Sequence, residues 1–298
     1  MKNQTRPGHA TGRRKRKFIY LFLVILLAVM LGIIIGNIIS EHIVKQKMQD
    51  YYEKLASEHS EKLPESQPDS QRPETQSGEQ ETGDILTKLG IMLPEKQIDW
   101  EGLYEENPDI YAWIYIPGTN IDYPILQHPT DNEYYVNHNI DGSAGRPAVI
   151  MTQNYNTKSF LDANTLVYGH NMMNGTMFSE LHKFSEEEFF QENLYVYIYL
   201  PNQVLVYEIF AEYVWSNELI TVKYDFSSIE GYQSYLNKVS AFLRKNGQYR
   251  DGIKISTKNH LITLSTCTNP ANDNYRYLVQ GVLINDPTLT EEEIMRTI

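Results

Sequence analysis

The chain has 298 residues with 26 basic and 38 acidic side chains, a formal charge of −12, and a single cysteine. One cysteine excludes a disulfide framework and a cysteine-based zinc cluster, and no HExxH, GxGxxG or GxxxxGK[ST] pattern occurs, so no metal or other cofactor is expected. Residues 1–17 carry seven basic and no acidic side chains, leaving −19 on the remainder; a body so acidic argues against a nucleic-acid partner, and its basic head points to a membrane instead.

Residues 18–39 are apolar except for Gly32, Gly36 and Asn37, and a helix of that length spans roughly 33 Å, enough to cross a bilayer core of about 30 Å. The run passes straight into Ser40-Glu41-His42-Ile43, so it reads as a retained anchor and not as a cleaved signal. Arg13 to Lys17 hold the N-terminus in the cytoplasm and send the rest of the chain outside. Residues 41–63 space Ile43, Val44, Met48, Tyr51, Tyr52 and Leu55 as a helix would, giving either a solvated stalk or a partner-binding helix. Residues 65–84 contain no aliphatic or aromatic side chain and read as a disordered tether. The expected organisation is therefore a cytoplasmic basic tail (1–17), a single transmembrane anchor (18–39), a juxtamembrane helix and tether (40–84), and an extracellular folded domain (85–298).

Within that domain Asp99 caps a short helix over 100–106, which Asn107-Pro108 ends. Strand-like runs follow at 111–116, 121–126, 148–152, 165–168, 194–200 and 204–215, with helices over 178–193 and 229–245. Many short strands with few helices favour a mostly β barrel or sandwich with helices at its periphery.

The one thiol ends the run Leu261-Ile262-Thr263-Leu264-Ser265-Thr266-Cys267, rich in strand-forming residues. A second run over 275–284 begins beside Arg276. Adjacent strands joined by a polar loop place that charge beside the thiol, where it favours the thiolate and later a developing oxyanion. A lone cysteine ending a strand is equally compatible with an inert apolar filler. Of eight histidines, His170, which follows a strand and Gly169 in Leu166-Val167-Tyr168-Gly169-His170, is the best-placed partner. His9 lies in the basic tail, His42 and His59 in the stalk, His128 and His138 in polar loops, His182 on a surface helix, and His260 at the far end of the cysteine strand. No acidic residue shares these motifs, so a third, orienting group is not named.

These residues resemble the sortases. Thr263-Leu264-Ser265-Thr266-Cys267 matches their TLxTC motif, Tyr168-Gly169-His170 their histidine segment, and Arg276 their essential arginine, in the same chain order. Asn107-Pro108-Asp109, the stretch from Trp113 to Pro124, Asn171-Met172 and Gly175-Thr176-Met177-Phe178 are similar to class B members, and the helix over 229–245 falls where those members carry an inserted helix between the sixth and seventh barrel strands. Thr268-Asn269 and Gln153-Asn154-Tyr155-Asn156 depart from the usual class B residues.

The resemblance implies a sortase-type β-barrel with peripheral helices and a membrane-anchored cysteine transpeptidase of a Gram-positive surface. His170, Cys267 and Arg276 are its expected catalytic residues, and Ser265, Thr266 and Tyr224 its candidate substrate contacts. The implied partners are surface proteins with a C-terminal sorting signal and a peptidoglycan-precursor amine. A membrane-anchored cysteine peptidase, a pilin-polymerising sortase and a non-catalytic surface-binding module are the alternatives; the second normally carries an Asp-Pro-aromatic lid, which is absent from 85–100.

Overall fold

The structure is a computed structural model that describes residues 10–62, 85–269 and 272–298. Residues 1–9 of the basic tail, the tether expected over 65–84 and the end of the cysteine strand at Pro270 lie outside the described residues. Two compact units are distinguished, residues 1–50 and residues 51–298.

The first unit is helical: α1 runs over Ala10–His59 and includes the apolar stretch Ile19–Ser40, with a mean hydropathy of 3.0. The protein thus has one N-terminal helix long and apolar enough to serve as an anchor or a signal. Within the second unit, the last turns of α1 and the strand β1 (Ser60–Lys62) pack on the body. Tyr52 and Leu55 are buried, the Tyr52 hydroxyl donates to the Ala148 carbonyl at 2.6 Å, and its ring meets Tyr123 edge-on at 6.1 Å. Strand β1 pairs antiparallel with β2 (Lys96–Ile98). Packing therefore starts at Tyr51, ahead of the boundary expected at Ile85, because the apolar positions of the juxtamembrane helix cover the body instead of facing water. Leu55→Ala, in a soluble fragment beginning at Tyr51, is expected to cost about 2–5 kcal/mol. Calorimetry would read this as a midpoint lowered by roughly 4–20 °C; an unchanged midpoint would mean that the segment is not packed in solution.

After α2 (Trp100–Glu106), capped by the Asp99 side chain on the Gly102 amide, the strands follow. These are β3 (Ile110–Tyr115), β4 (Asp122–Leu126), β5 (Ile150–Thr152), β6 (Asn164–Tyr168), β7 (Tyr195–Leu200), β8 (Gln203–Ser216), β9 (Gly247–Tyr249), β10 (Leu261–Asn269) and β11 (Asn272–Leu283). Their order is β11-β10-β6-β5-β4-β3-β7-β8, and β8 pairs back onto β11, which closes eight strands into the expected barrel. The hairpin β3–β4 turns at Gly118, whose φ of 75° suits glycine. Strands β7 and β8 join through Pro201-Asn202, with Leu200 opposite Gln203. The barrel core is built on fully buried residues such as Trp113, Ile114, Ile125, Val167, Leu264 and Val279.

The helix expected over 178–193 is two pieces, a 3-10 helix (Ser179–Ser185) and α3 (Glu187–Glu192), separated where Glu186 takes an extended ψ of 122°. The break lets Leu181, Phe184 and Phe190 all be buried. Between the sixth and seventh barrel strands, β8 and β10, lie α4 (Ile220–Lys223) and α5 (Ile229–Asn246), the inserted helix. The short α6 (Glu291–Met295) closes the chain on a capping box between Thr290 and Glu293.

Candidate active site

Strand pairing assembles the site. Strands β10 and β11 are antiparallel, with Cys267 opposite Arg276, and β11 continues to β8 with Arg276 opposite Trp215. On the other side β10 runs parallel to β6, with Ser265 beside Tyr168. His170 and Cys267 each stand two residues past that pair, His170 beyond the end of β6 and Cys267 still on β10. The Gly169 amide extends the ladder to the Ser265 carbonyl at 3.1 Å. Only a hydrogen fits at Gly169: a Cβ there would lie 2.6 Å from Ile150 Cδ1 and from Phe178 Cγ.

His170, Cys267 and Arg276 line one cavity of about 200 Å³. Its floor follows from the alternation of side chains on the strands: Met151 and Gln153, Leu166 and Tyr168, Ser265 and Cys267, Leu278 and Arg276, and Trp215 all reach it. One wall comes from Glu133, Tyr135, Val136 and Val149, the other from residues 216–220. Ser265 and Thr266 are in the lining as expected. Tyr224 is outside that lining: its ring packs on Tyr235 at 5.1 Å and Phe226 at 6.5 Å.

The histidine has an orienting group that sequence motifs do not carry. His170 Nε2 lies 2.7 Å from the Val136 carbonyl; a carbonyl only accepts, so Nε2 bears the hydrogen and Nδ1 remains for proton exchange. Burial lowers the His170 pKa below its usual value, the Val136 bond opposes this, and the charges of Arg146 and Arg276 lower it further. The imidazole is thus mostly neutral at pH 7. Desolvation raises the Tyr168 phenol, against the pull of Arg276, so that side chain stays protonated.

Three other groups were not singled out by sequence. Asn171 and His182 lie within 3.1 Å of the Cys267 carbonyl, and His182, expected on a helix surface, is half-buried with its ring stacked on Tyr277 at 4.5 Å. Trp215 ends the long strand β8 and turns its indole into the cavity wall. Four buried polar atoms of the lining, Gln153 Oε1, Tyr168 OH, Trp215 Nε1 and Thr266 Oγ1, have no hydrogen-bond partner among the described residues.

Comparison with known proteins finds relatives of this fold. Residues 114–284 match the family described as Sortase domain. Sortase B of Listeria monocytogenes is 36% identical over 186 residues, covering 61% of this chain and 72% of that protein. The crystal structure of Clostridium perfringens sortase B superposes with a TM-score of 0.55 at 33% identity, covering 61% of this chain and 98% of that one. A Staphylococcus aureus sortase B–substrate complex shares the fold with a TM-score of 0.58 at 23% identity, over 80% of this chain and 96% of that one.

Proposed function

This chain belongs to the sortase family as a class B member, a cysteine transpeptidase, and from that premise we propose how its own residues carry the reaction. The observation behind the reading is that Cys267 on β10, Arg276 on β11 and His170 just past the end of β6 line a single cavity. Sortases act on surface proteins bearing sorting motifs and on cell-wall precursors.

The Cys267 thiol passes its proton to the neutral His170 at Nδ1; the thiolate so formed attacks the carbonyl carbon at the cleavage point of a C-terminal sorting signal, and the carbonyl oxygen takes up the negative charge beside Arg276. The C–N bond then breaks, His170 as imidazolium gives its proton to the departing amine, and an acyl thioester remains on Cys267. A peptidoglycan-precursor amine attacks the thioester, its proton passes to His170, and the C–S bond breaks to return the thiolate. The apolar N-terminal helix acts as a single-pass anchor with a cytoplasmic basic tail, so that the domain beyond the tether meets membrane-bound donor and lipid-linked acceptor on the outer face.

The test incubates the protein with sorting-motif peptides and a small amine, followed by mass spectrometry. An amine-linked product supports transpeptidation. Hydrolysis alone in excess amine would move the reading to a cysteine peptidase.

The unpartnered Trp215 Nε1 gives a second check. A buried donor without a partner costs stability until a ligand meets it, and a peptide in the groove brings backbone carbonyls that can do so. Trp215→Phe keeps most of the ring and loses the donor. It is expected to raise KM roughly 2- to 10-fold with kcat little changed and the melting temperature equal or higher. An unchanged KM would remove Trp215 from substrate recognition.

A further inference from the structure

Strand β6 accompanies β10 only as far as the Tyr168–Ser265 pair and the Gly169 amide on the Ser265 carbonyl. Past that point the Cys267 carbonyl points to the same side as that of Ser265, because backbone groups alternate direction along a strand. Two side chains meet it there. Asn171 Nδ2 donates to it at 2.9 Å, and His182 Nε2 lies 3.1 Å from it and 3.1 Å from Asn171 Nδ2. Both residues are themselves held, Asn171 through its backbone and His182 through its ring. Asn171 bridges to Met177, and the Phe178 amide donates to the His170 carbonyl at 3.0 Å. The His182 ring stacks on Tyr277, the residue paired with Thr266.

The carbonyl of Cys267 and the N–H of Thr268 belong to one planar peptide group and point in opposite directions. Fixing the first toward β6 aims the second toward β11, the strand of Arg276. In that place the β10–β11 register breaks: between the pairs Cys267–Arg276 and Asn269–Asn272, Thr268 alone stands against residues 273–275. The additional residues belong to β11, so across this break Thr268 has no single opposite residue in the register.

We propose that Asn171 and His182 are a positioning pair for acyl transfer: by holding the Cys267 carbonyl they fix the Cys267–Thr268 peptide so that the Thr268 N–H is aimed, beside Arg276, at the oxygen of the carbonyl under attack. The role rests on Cys267 being the nucleophile. It differs from simple support of the thiol, since what the pair sets is an oxyanion donor and not the sulfur.

Two reactions of the same thiol separate these roles. Alkylation by iodoacetamide forms an S–C bond with loss of iodide and develops no oxyanion; acylation by a sorting peptide needs oxyanion stabilisation. With the full chain in detergent micelles, Asn171→Ala and the isosteric Asn171→Asp, which cannot donate as a carboxylate, are expected to slow acylation roughly 10- to 100-fold. KM and the alkylation rate should stay within about 3-fold of wild type, less than a single neutral hydrogen bond. His182→Phe, which keeps the stacking on Tyr277, should also slow acylation, and His182→Gln, whose amide can donate to the same carbonyl, should recover most of that loss. A parallel fall of alkylation and acylation would overturn the proposal in favour of a structural role. Wild-type acylation in the Asn171 variants would overturn the pair alone; no wild-type thioester despite normal alkylation would overturn the reading of Cys267 and the pair with it.

Discussion

Cys267→Ala is expected to give a folded protein that forms no thioester and turns over sorting peptides at least about 10⁴-fold more slowly than wild type, the scale seen when an enzyme loses its nucleophile. The fold should survive. The side chain is only half-buried and faces a cavity, while the strand that carries it is held on both sides by pairing and by the Asn171 bond to its carbonyl. Intact-mass spectrometry after mixing with peptide would show an acyl adduct on the wild type and none on the variant, at equal melting temperature. Turnover within about 10-fold of wild type would leave no place for a covalent step through this thiol, because the chain has no second cysteine.

His170→Ala should lower kcat/KM by roughly 10²- to 10⁴-fold, the range for removing a general acid and base. Substrate binding should change less, since the ring is one of many groups in the lining. The ionisation of His170 adds a signed test. Its pKa lies below the usual 6.5 because burial and two arginine charges disfavour the imidazolium, so NMR of the imidazole should follow a titration whose midpoint falls below about 6.5. Arg276→Gln removes one of those charges and should move the titration upward. The same shift makes the folded state bind this proton more weakly than the unfolded chain. Its contribution to stability is complete above about pH 6.5 and is lost as the pH falls toward the native pKa. A His170 titration above the usual value would contradict the buried, carbonyl-bound ring.

The clustering of the three proposed catalytic residues was legible because each sits in a run whose local pattern states its position. Ser265-Thr266-Cys267 closes a β-branched run, Tyr168-Gly169-His170 follows another, and a nine-residue step from Cys267 to Arg276 suits two strands joined by a loop. The strands themselves were legible for the same reason, including the Pro201-Asn202 turn. Closure through β8 and β11 was not, since the rung of Trp215 with Arg276 joins positions 61 residues apart and no local pattern encodes the partner. Val136 orients His170 through a carbonyl that every residue possesses, so its identity carries no signal. His182 was hidden by its neighbours: Ser-Glu-Leu-His-Lys-Phe reads as a polar helix surface, whereas a 3-10 turn and the stacking on Tyr277 bring the ring inward. Tyr52 and Leu55 had a helical spacing compatible with a stalk or a packed helix, and only the surface they meet decides between them.

The β8–β11 seam that sets Trp215 beside Arg276 also bears on how copies of this protein behave toward one another. A sheet that ends leaves a row of unpaired backbone donors and acceptors, onto which another chain can add and begin an aggregate. Here the seam uses those groups internally over nine paired positions, from Tyr275 to Leu283 on β11. Closure keeps that long row from being offered to another chain.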